Sequence, residues 1–284
     1  MHDIALVTDS TAYIPPGLIK QYAISVAPLV LIWGEKTYRD GVDIQPDDFY
    51  AQLKTAKVMP TTSQPSAEAM RDIFEPLVER GSDVLGIFIS EKLSGTMRSA
   101  IQAREELGAG GGKVTLIDSN ACAMAAGFQV LAAARAASEG ASVRECAQIV
   151  ERCKDHVGVY FAVDTLEFLH RGGRIGGATR FIGSALNLKP ILALRDGRVE
   201  AEDRVRTKSK ALDRVLALVS AQVTGKENIR LATVHANAEP EAQALLDRAG
   251  KELGAVECLL AAVSPVVGAH AGPGTVGLCY MTGT

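Results

Sequence analysis

Eight short apolar runs recur along this sequence, most of them separated by stretches with helical spacing. The runs lie at 4–8, 25–32, 84–89, 114–117, 157–163, 229–234, 256–262 and 276–280. The helical stretches lie at 65–80, 95–107, 121–138, 143–156, 208–223 and 239–253. Alternation of this kind predicts an α/β protein whose helices cover largely parallel sheets. One stretch departs from it. In "LKPILALRDGRVEAEDRVRT" (188–207) two extended runs flank Asp196–Gly197, which signals a hairpin and an antiparallel excursion from the second sheet. Pro65, after Ser63, suits the first turn of a helix. A length of 284 residues suggests two α/β domains. Their boundary is placed after the helical stretch that ends near His156, giving 1–156 and 157–284.

Composition narrows the partners. The chain is 47% apolar and 22% charged, enough to bury a sizeable core. Its 30 Lys and Arg against 33 Asp and Glu leave a net charge of −3, which gives no electrostatic case for nucleic acid. The five cysteines form no CxxC pair. Cys146 and Cys153 stand seven apart on one helical stretch, which suits a shared core face better than a metal. The count is odd, so reduced thiols in a reducing compartment are expected. "MHDIALVTDS" has no basic segment leading into an apolar one, and no apolar run approaches the ~20 residues that span a bilayer. The chain therefore reads as soluble and cytoplasmic.

No cofactor and no metal are expected. "GAGGGK" (108–113) fails as a phosphate-binding loop, because Leu107 stands where its first Gly is needed and Val114 where Ser or Thr is needed. It reads as a flexible loop between a helix and a strand. "RGGRIGG" (171–177) lacks the GxGxxG spacing of a dinucleotide site.

Four polar stretches could carry chemistry: "VTDST" (7–11), "TTSQPS" (61–66), "LSGT" (93–96) and "AHAGPGTVGL" (269–278). The first three fall at strand ends or helix starts, where open α/β sheets bind ligands. Helix starts offer unpaired N–H groups and a positive dipole end. Ser94 and Thr96 add hydroxyls, Gly95 admits a close backbone approach, and Thr62 with Ser63 supplies a second set. Neutral donors so grouped suit a carboxylate or a phosphate. The plainer readings stand beside this one. Ser94, Ser63 or Ser66 also suits an ordinary helix cap, Asp9 and Ser10 a turn, and His270 a structural hydrogen bond. Ser94, His270 and an acid such as Asp9 or Asp118 would compose a hydrolase triad, although Ser94 is not in G-x-S-x-G.

In order along the chain stand "VTDSTAYIP", "TSQPS", "LSGTMRSA", "DSNACAMAAGF", "LHRGGRIG", "LKPIL" and "GPGTVGL". No one of these is specific alone. Together, over Val7 to Leu278, they resemble the DegV family, which includes the fatty-acid-binding subunits of bacterial fatty acid kinase. The resemblance implies a long-chain fatty acid in an apolar tunnel between two α/β domains, with its carboxylate among hydroxyl groups. Carried over, the head-group residues are Thr62, Ser94 and His270. It also implies a separate kinase subunit that turns the bound acid into an acyl phosphate for phospholipid synthesis. Met97 stands where the family often has an aromatic residue, and Glu91 and Lys92 where it often has serine. The Gly-rich segment 170–180, with Arg171, Arg174 and Arg180 in a chain of negative net charge, is the expected exposed contact for the kinase partner, with Arg171 and Arg174 as its contact residues; a solvated turn before a helix is the plainer reading beside it. Two alternatives to this carrier are a stand-alone hydrolase using Ser94 and His270, and a binder of another small anion.

Overall fold

The computed structural model describes residues 4–183 and 188–283. In chain order its elements begin with β1 (Ile4–Asp9), α1 (Pro16–Gln21), β2 (Ser25–Ala27), β3 (Val30–Trp33), β4 (Lys36–Arg39), α2 (Pro46–Leu53), β5 (Thr61–Ser63) and α3 (Ala67–Glu79). There follow β6 (Asp83–Phe88), α4 (Thr96–Glu106), β7 (Val114–Asp118), α5 (Met124–Ser138), α6 (Val143–Cys153), β8 (Val157–Ala162) and α7 (Glu167–Arg171). The remainder are β9 (Lys189–Arg195), β10 (Arg198–Val205), α8 (Lys208–Val223), β11 (Arg230–His235), α9 (Glu239–Leu253), β12 (Glu257–Ala262), α10 (Pro265–Ala271) and β13 (Val276–Met281). Among the described residues no helix is long and apolar enough to cross a membrane.

The α/β architecture follows from the alternation. Strands β2-β1-β6-β7 form a wholly parallel sheet. Its inner strands are nearly continuous apolar runs because helices cover both faces. The second sheet, β10-β9-β8-β13-β11-β12, is mixed, and only its β11–β12 pair is parallel. The parallel pairing expected of both sheets thus holds for one. After β8 the chain passes through α7, which packs on α10, and returns antiparallel beside β8 as β9. The hairpin falls where Asp196–Gly197 puts it, both residues having positive φ as a two-residue turn requires.

Other expectations need correction. The run at 25–32 is two strands in two sheets. Pro28, with no N–H to donate, falls at the break, and β3 departs to a small antiparallel sheet β4-β3-β5. Pro65 does not open a helix. Ser66 is the cap of α3, its Oγ accepting the Ala69 N–H at 3.1 Å, and Thr62 and Ser63 lie on β5. The Gly-rich 108–113 forms a 3₁₀ segment rather than a loose loop. Cys146 and Cys153 are both buried in one apolar cluster.

The layers are tied together by α5. Every residue from Met124 to Ala134 is buried. The helix packs on β1 and β6 on one side and on β8, β13 and β11 on the other. Alanines at seven of its fifteen positions keep it thin enough to be shared. Outside this layer α3 and α4 cover the first sheet, and α8 and α9 the second.

Gly127 is the tightest point of the α5 contact. A Cβ there would collide with the Ala12 carbonyl oxygen and lie 2.9 Å from the Met124 sulfur. Alanine is favoured over glycine by up to about 1 kcal/mol inside a helix, and overpacking costs about 1–3 kcal/mol. Gly127→Ala is therefore expected to lower stability in urea unfolding. Gly17→Ala, in α1 with nothing within 4 Å of its Cβ, is expected to raise it by about 0.4–1 kcal/mol.

Candidate ligand-binding site

The loops after β1, β6 and β7 carry Thr11, Ile89, Cys122 and Ala123 to one place, the carboxyl ends of the parallel sheet. The second sheet faces them with Val159, Phe161, Leu194, Val199 and Val234, and α10 adds Val266, Val267, His270 and Ala271. The space between is a cavity with mostly apolar walls, about 920 Å³ of empty space when the open solvent at its mouth is included. Two close approaches shape it. A Cβ on Gly197, at the hairpin tip, would collide with Ser90 and Asn120 of the first half, and Lys92 Nζ donates to the Asp196 carbonyl at 2.7 Å. Ala123 has φ 56° and ψ −155°, a conformation that glycine alone adopts without strain, and it lies in the cavity wall.

Polar groups gather around part of this wall: Thr62, Ser63, Gln64, Ser94, Arg174 and His270. Thr62 is held by β5, paired through Leu31 of β3. Its Oγ1 lies 2.7 Å from His270 Nε2. His270 stands near the end of α10 against the backbone of Gly172, where any Cβ would strike the imidazole. Burial first, and the Arg174 charge second, push His270 down to about 4, so the ring is neutral at pH 7. Arg174 is fixed by its Nε on the Leu93 carbonyl at 3.1 Å and its Nη1 on the Gly172 carbonyl at 2.8 Å. Ser94 Oγ lies 2.9 Å from Thr96 Oγ1 and accepts the Thr96 N–H at 3.3 Å. The cap position of α4 is Gly95, with no side-chain cap bond, so Ser94 is not the helix cap; it stands one residue before it and lines the cavity. A Cβ on Gly95 would lie 2.9 Å from the Gln64 side chain, so the two hydroxyl-bearing loops touch.

Four of the residues singled out as head-group contacts, Thr62, Ser63, Ser94 and His270, line this cavity. Gly95 and Thr96 stand behind it, Gly95 against Gln64 and Thr96 fully buried under Ser94. Arg174 lines the cavity, which adds a cation to a site expected to hold neutral donors only. Arg171 points elsewhere, exposed and paired with Glu167. Gln64 and Tyr13 lie within the stretches "TTSQPS" and "VTDSTAYIP" without being singled out as residues, and the valines of α10 lie outside every such stretch.

The triad constellation is not assembled. His270 Nε2 faces Thr62 rather than Ser94, and among the described residues its buried Nδ1 has no partner. Asp9 is occupied by Ile89 N–H, Thr11 N–H and the Thr11 hydroxyl, which ties the ends of β1 and β6 together. Asp118 receives the N–H groups of Asn120 and Glu91. Among the described residues no cluster of three or more His, Cys, Asp or Glu could hold a metal ion.

Comparison with known proteins agrees with this architecture. A family model described as "Uncharacterised protein, DegV family" matches residues 3–283. A DegV domain-containing protein of Halalkalibacterium halodurans is 36% identical over 282 residues, 99% of each chain. A DegV family protein from Thermus thermophilus, whose structure is described as fatty acid binding, superposes with a TM-score of 0.92 at 37% identity, covering 99% of each chain. DegV of Bacillus subtilis, described as a fatty acid binding protein, gives 0.90 at 33% identity over 100% of each chain.

The buried imidazole has a consequence for stability. A base held at about 4 when folded, against 6.5 when unfolded, leaves stability intact above pH 6.5. That stability is lost as pH falls towards 4, because the unfolded chain takes up the proton first. Between pH 7 and pH 5 the wild type is expected to lose about 2 kcal/mol more than His270→Gln, by linkage. Urea unfolding of both proteins at the two pH values measures the difference.

Proposed function

The chain belongs to the DegV family, and we propose that it binds a long-chain fatty acid and presents it to a separate kinase subunit for acyl phosphate formation. The observation that carries this reading is one cavity with two chemistries. Most of its wall is aliphatic, and one group of residues is hydroxyl, imidazole and guanidinium. A small anion would engage the polar group and leave the apolar wall uncovered. A long-chain acid matches both, each buried CH₂ contributing about 0.8 kcal/mol. The fatty acid binding ascribed to the Thermus thermophilus and Bacillus subtilis relatives supports the same choice.

In this reading the carboxylate is met by Thr62, Ser94 and His270, with Ser63, Gly95 and Thr96 completing the two loops. With hydrogen on Nε2, the imidazole donates to Thr62 Oγ1 and leaves the Thr62 hydroxyl hydrogen for the ligand. Thr96, donating to Ser94 Oγ, does the same for Ser94. A buried carboxylate needs several such donors to offset its desolvation. Arg174 adds charge compensation, which an acyl phosphate would need more than the acid does. Arg171, exposed on α7, is proposed with Arg174 as the contact for the kinase. Phosphoryl transfer belongs to that partner, and this chain supplies the oriented acid.

Mass spectrometry of an organic extract of the purified protein is expected to find a long-chain acid, and an extract free of lipid together with no binding of added acid would sink the reading. Thr62→Ala and Ser94→Ala should each weaken binding by about 1.5–3 kcal/mol, roughly tenfold or more. Arg171→Ala is expected to keep acid binding and to reduce kinase-dependent acyl phosphate formation. Arg174→Ala should reduce both.

A further inference from the structure

Asp40 is almost completely buried, at 1% exposure, yet it lies on none of the cavity wall. Its carboxylate joins two parts of the site. Oδ2 accepts the Ser10 hydroxyl at 2.6 Å, and Oδ1 accepts the Val266 N–H at 3.0 Å. Val266 is the second residue of α10, whose own cap, Ser264, makes no side-chain cap bond. Asp40 thus fills the role of a helix cap from 226 residues away. A carboxylate there also suits the positive end of the helix dipole.

Further contacts fix the same seat. Ser10 Oγ accepts the N–H of Leu29, a cavity residue, and the Asp40 N–H donates to the Leu29 carbonyl. The Tyr50 hydroxyl donates to the Val263 carbonyl at 3.1 Å, and its ring leaves no room for a Cβ on Gly268. Burial pushes the Asp40 carboxyl up to about 6, opposed by Ser10, Ser264 and the Val266 N–H, with Asp9 adding to the rise. The charge is costly to keep there, and the groups arranged around it are those that seat α10.

We infer that Asp40 is a positioning residue, one that seats α10 so that His270 meets Thr62 and the bound carboxylate without itself touching the ligand. The inference rests on the reading of this cavity as a fatty acid site, and it is specific to the head group. Losing the Asp40 charge should let α10 shift, while the larger aliphatic wall supplied by β8, β9, β10 and β11 persists.

The test compares wild type with Asp40→Asn, which keeps the shape and removes the charge. Two ligands are titrated, palmitic acid and hexadecanol, which share a tail and differ in the head group. The variant is expected to bind the acid about tenfold more weakly and the alcohol within about twofold. On the ligand-free protein at pH 8, where Asp40 carries its charge and His270 is neutral, the His270 Cε1–H resonance is assigned with His270→Gln. Its chemical shift is expected to move in Asp40→Asn as the imidazole is displaced from Thr62. Equal weakening for acid and alcohol, or an unmoved His270 resonance, would overturn the inference. If Asp40→Asn does not fold, Ser10→Ala removes one of the bonds to the carboxylate and should move both readouts in the same direction by less, and no movement there would overturn it equally. The resonance needs no ligand, so a protein that binds no fatty acid would refute the proposed function and still decide the role of Asp40.

Discussion

The structure depends on one helix buried from both sides. Most helices of an α/β protein show one face to a sheet and the other to water, whereas α5 has no water-facing side over Met124 to Ala134. Its alanines let the parallel sheet and the mixed sheet approach it together. The cavity lies at the start of this helix. The loop that leads into α5, with Cys122 and Ala123, contributes to its wall together with Thr11 and Ile89 from the ends of β1 and β6.

Within so apolar a setting each polar group needs a stated partner, and the groups form a chain. Asp9 holds the ends of β1 and β6 through Ile89 and Thr11. Ser10, the next residue, reaches Asp40, Asp40 reaches α10, and α10 carries His270 to Thr62. Short segments far apart in sequence therefore set one cluster. Burial acts on two members of this chain in the same sense, against charge: it raises the carboxyl of Asp40 and lowers the imidazole of His270.

Much of this was legible in the sequence, and the rest depends on contacts that a sequence does not display. The helices at 208–223 and 239–253 match residue for residue, because each has a one-sided apolar pattern and a clear boundary, Thr207 in one and Gly254 in the other. The hairpin was legible from two residues, Asp196 and Gly197. By contrast α10 is only seven residues long, contains Gly268, and owes its start to Asp40. The small sheet β4-β3-β5 has a short exposed strand with no alternation. The direction of pairing in the second sheet depends on contacts between segments far apart in the chain, which no local pattern encodes. Thr62, Ser94 and His270 stood out because hydroxyls and a histidine in turn-rich stretches invite a ligand. Arg174 stood out as an exposed cation, and its turn into the cavity depends on the carbonyls of Leu93 and Gly172.

The strand order of the mixed sheet also bears on how the molecule comes to exist. β13 follows every other strand in the sequence, yet it lies between β8 and β11. Without it the sheet is two fragments, β10-β9-β8 and β11-β12, with no backbone pairing between them. Until Val276–Met281 is in place, part of the apolar side that α5 turns to the mixed sheet has no strand over it and is open to wrong partners. Completion of the mixed sheet therefore waits for the last of its strands to be made. Deleting β13 would cost the protein its central seam rather than its edge.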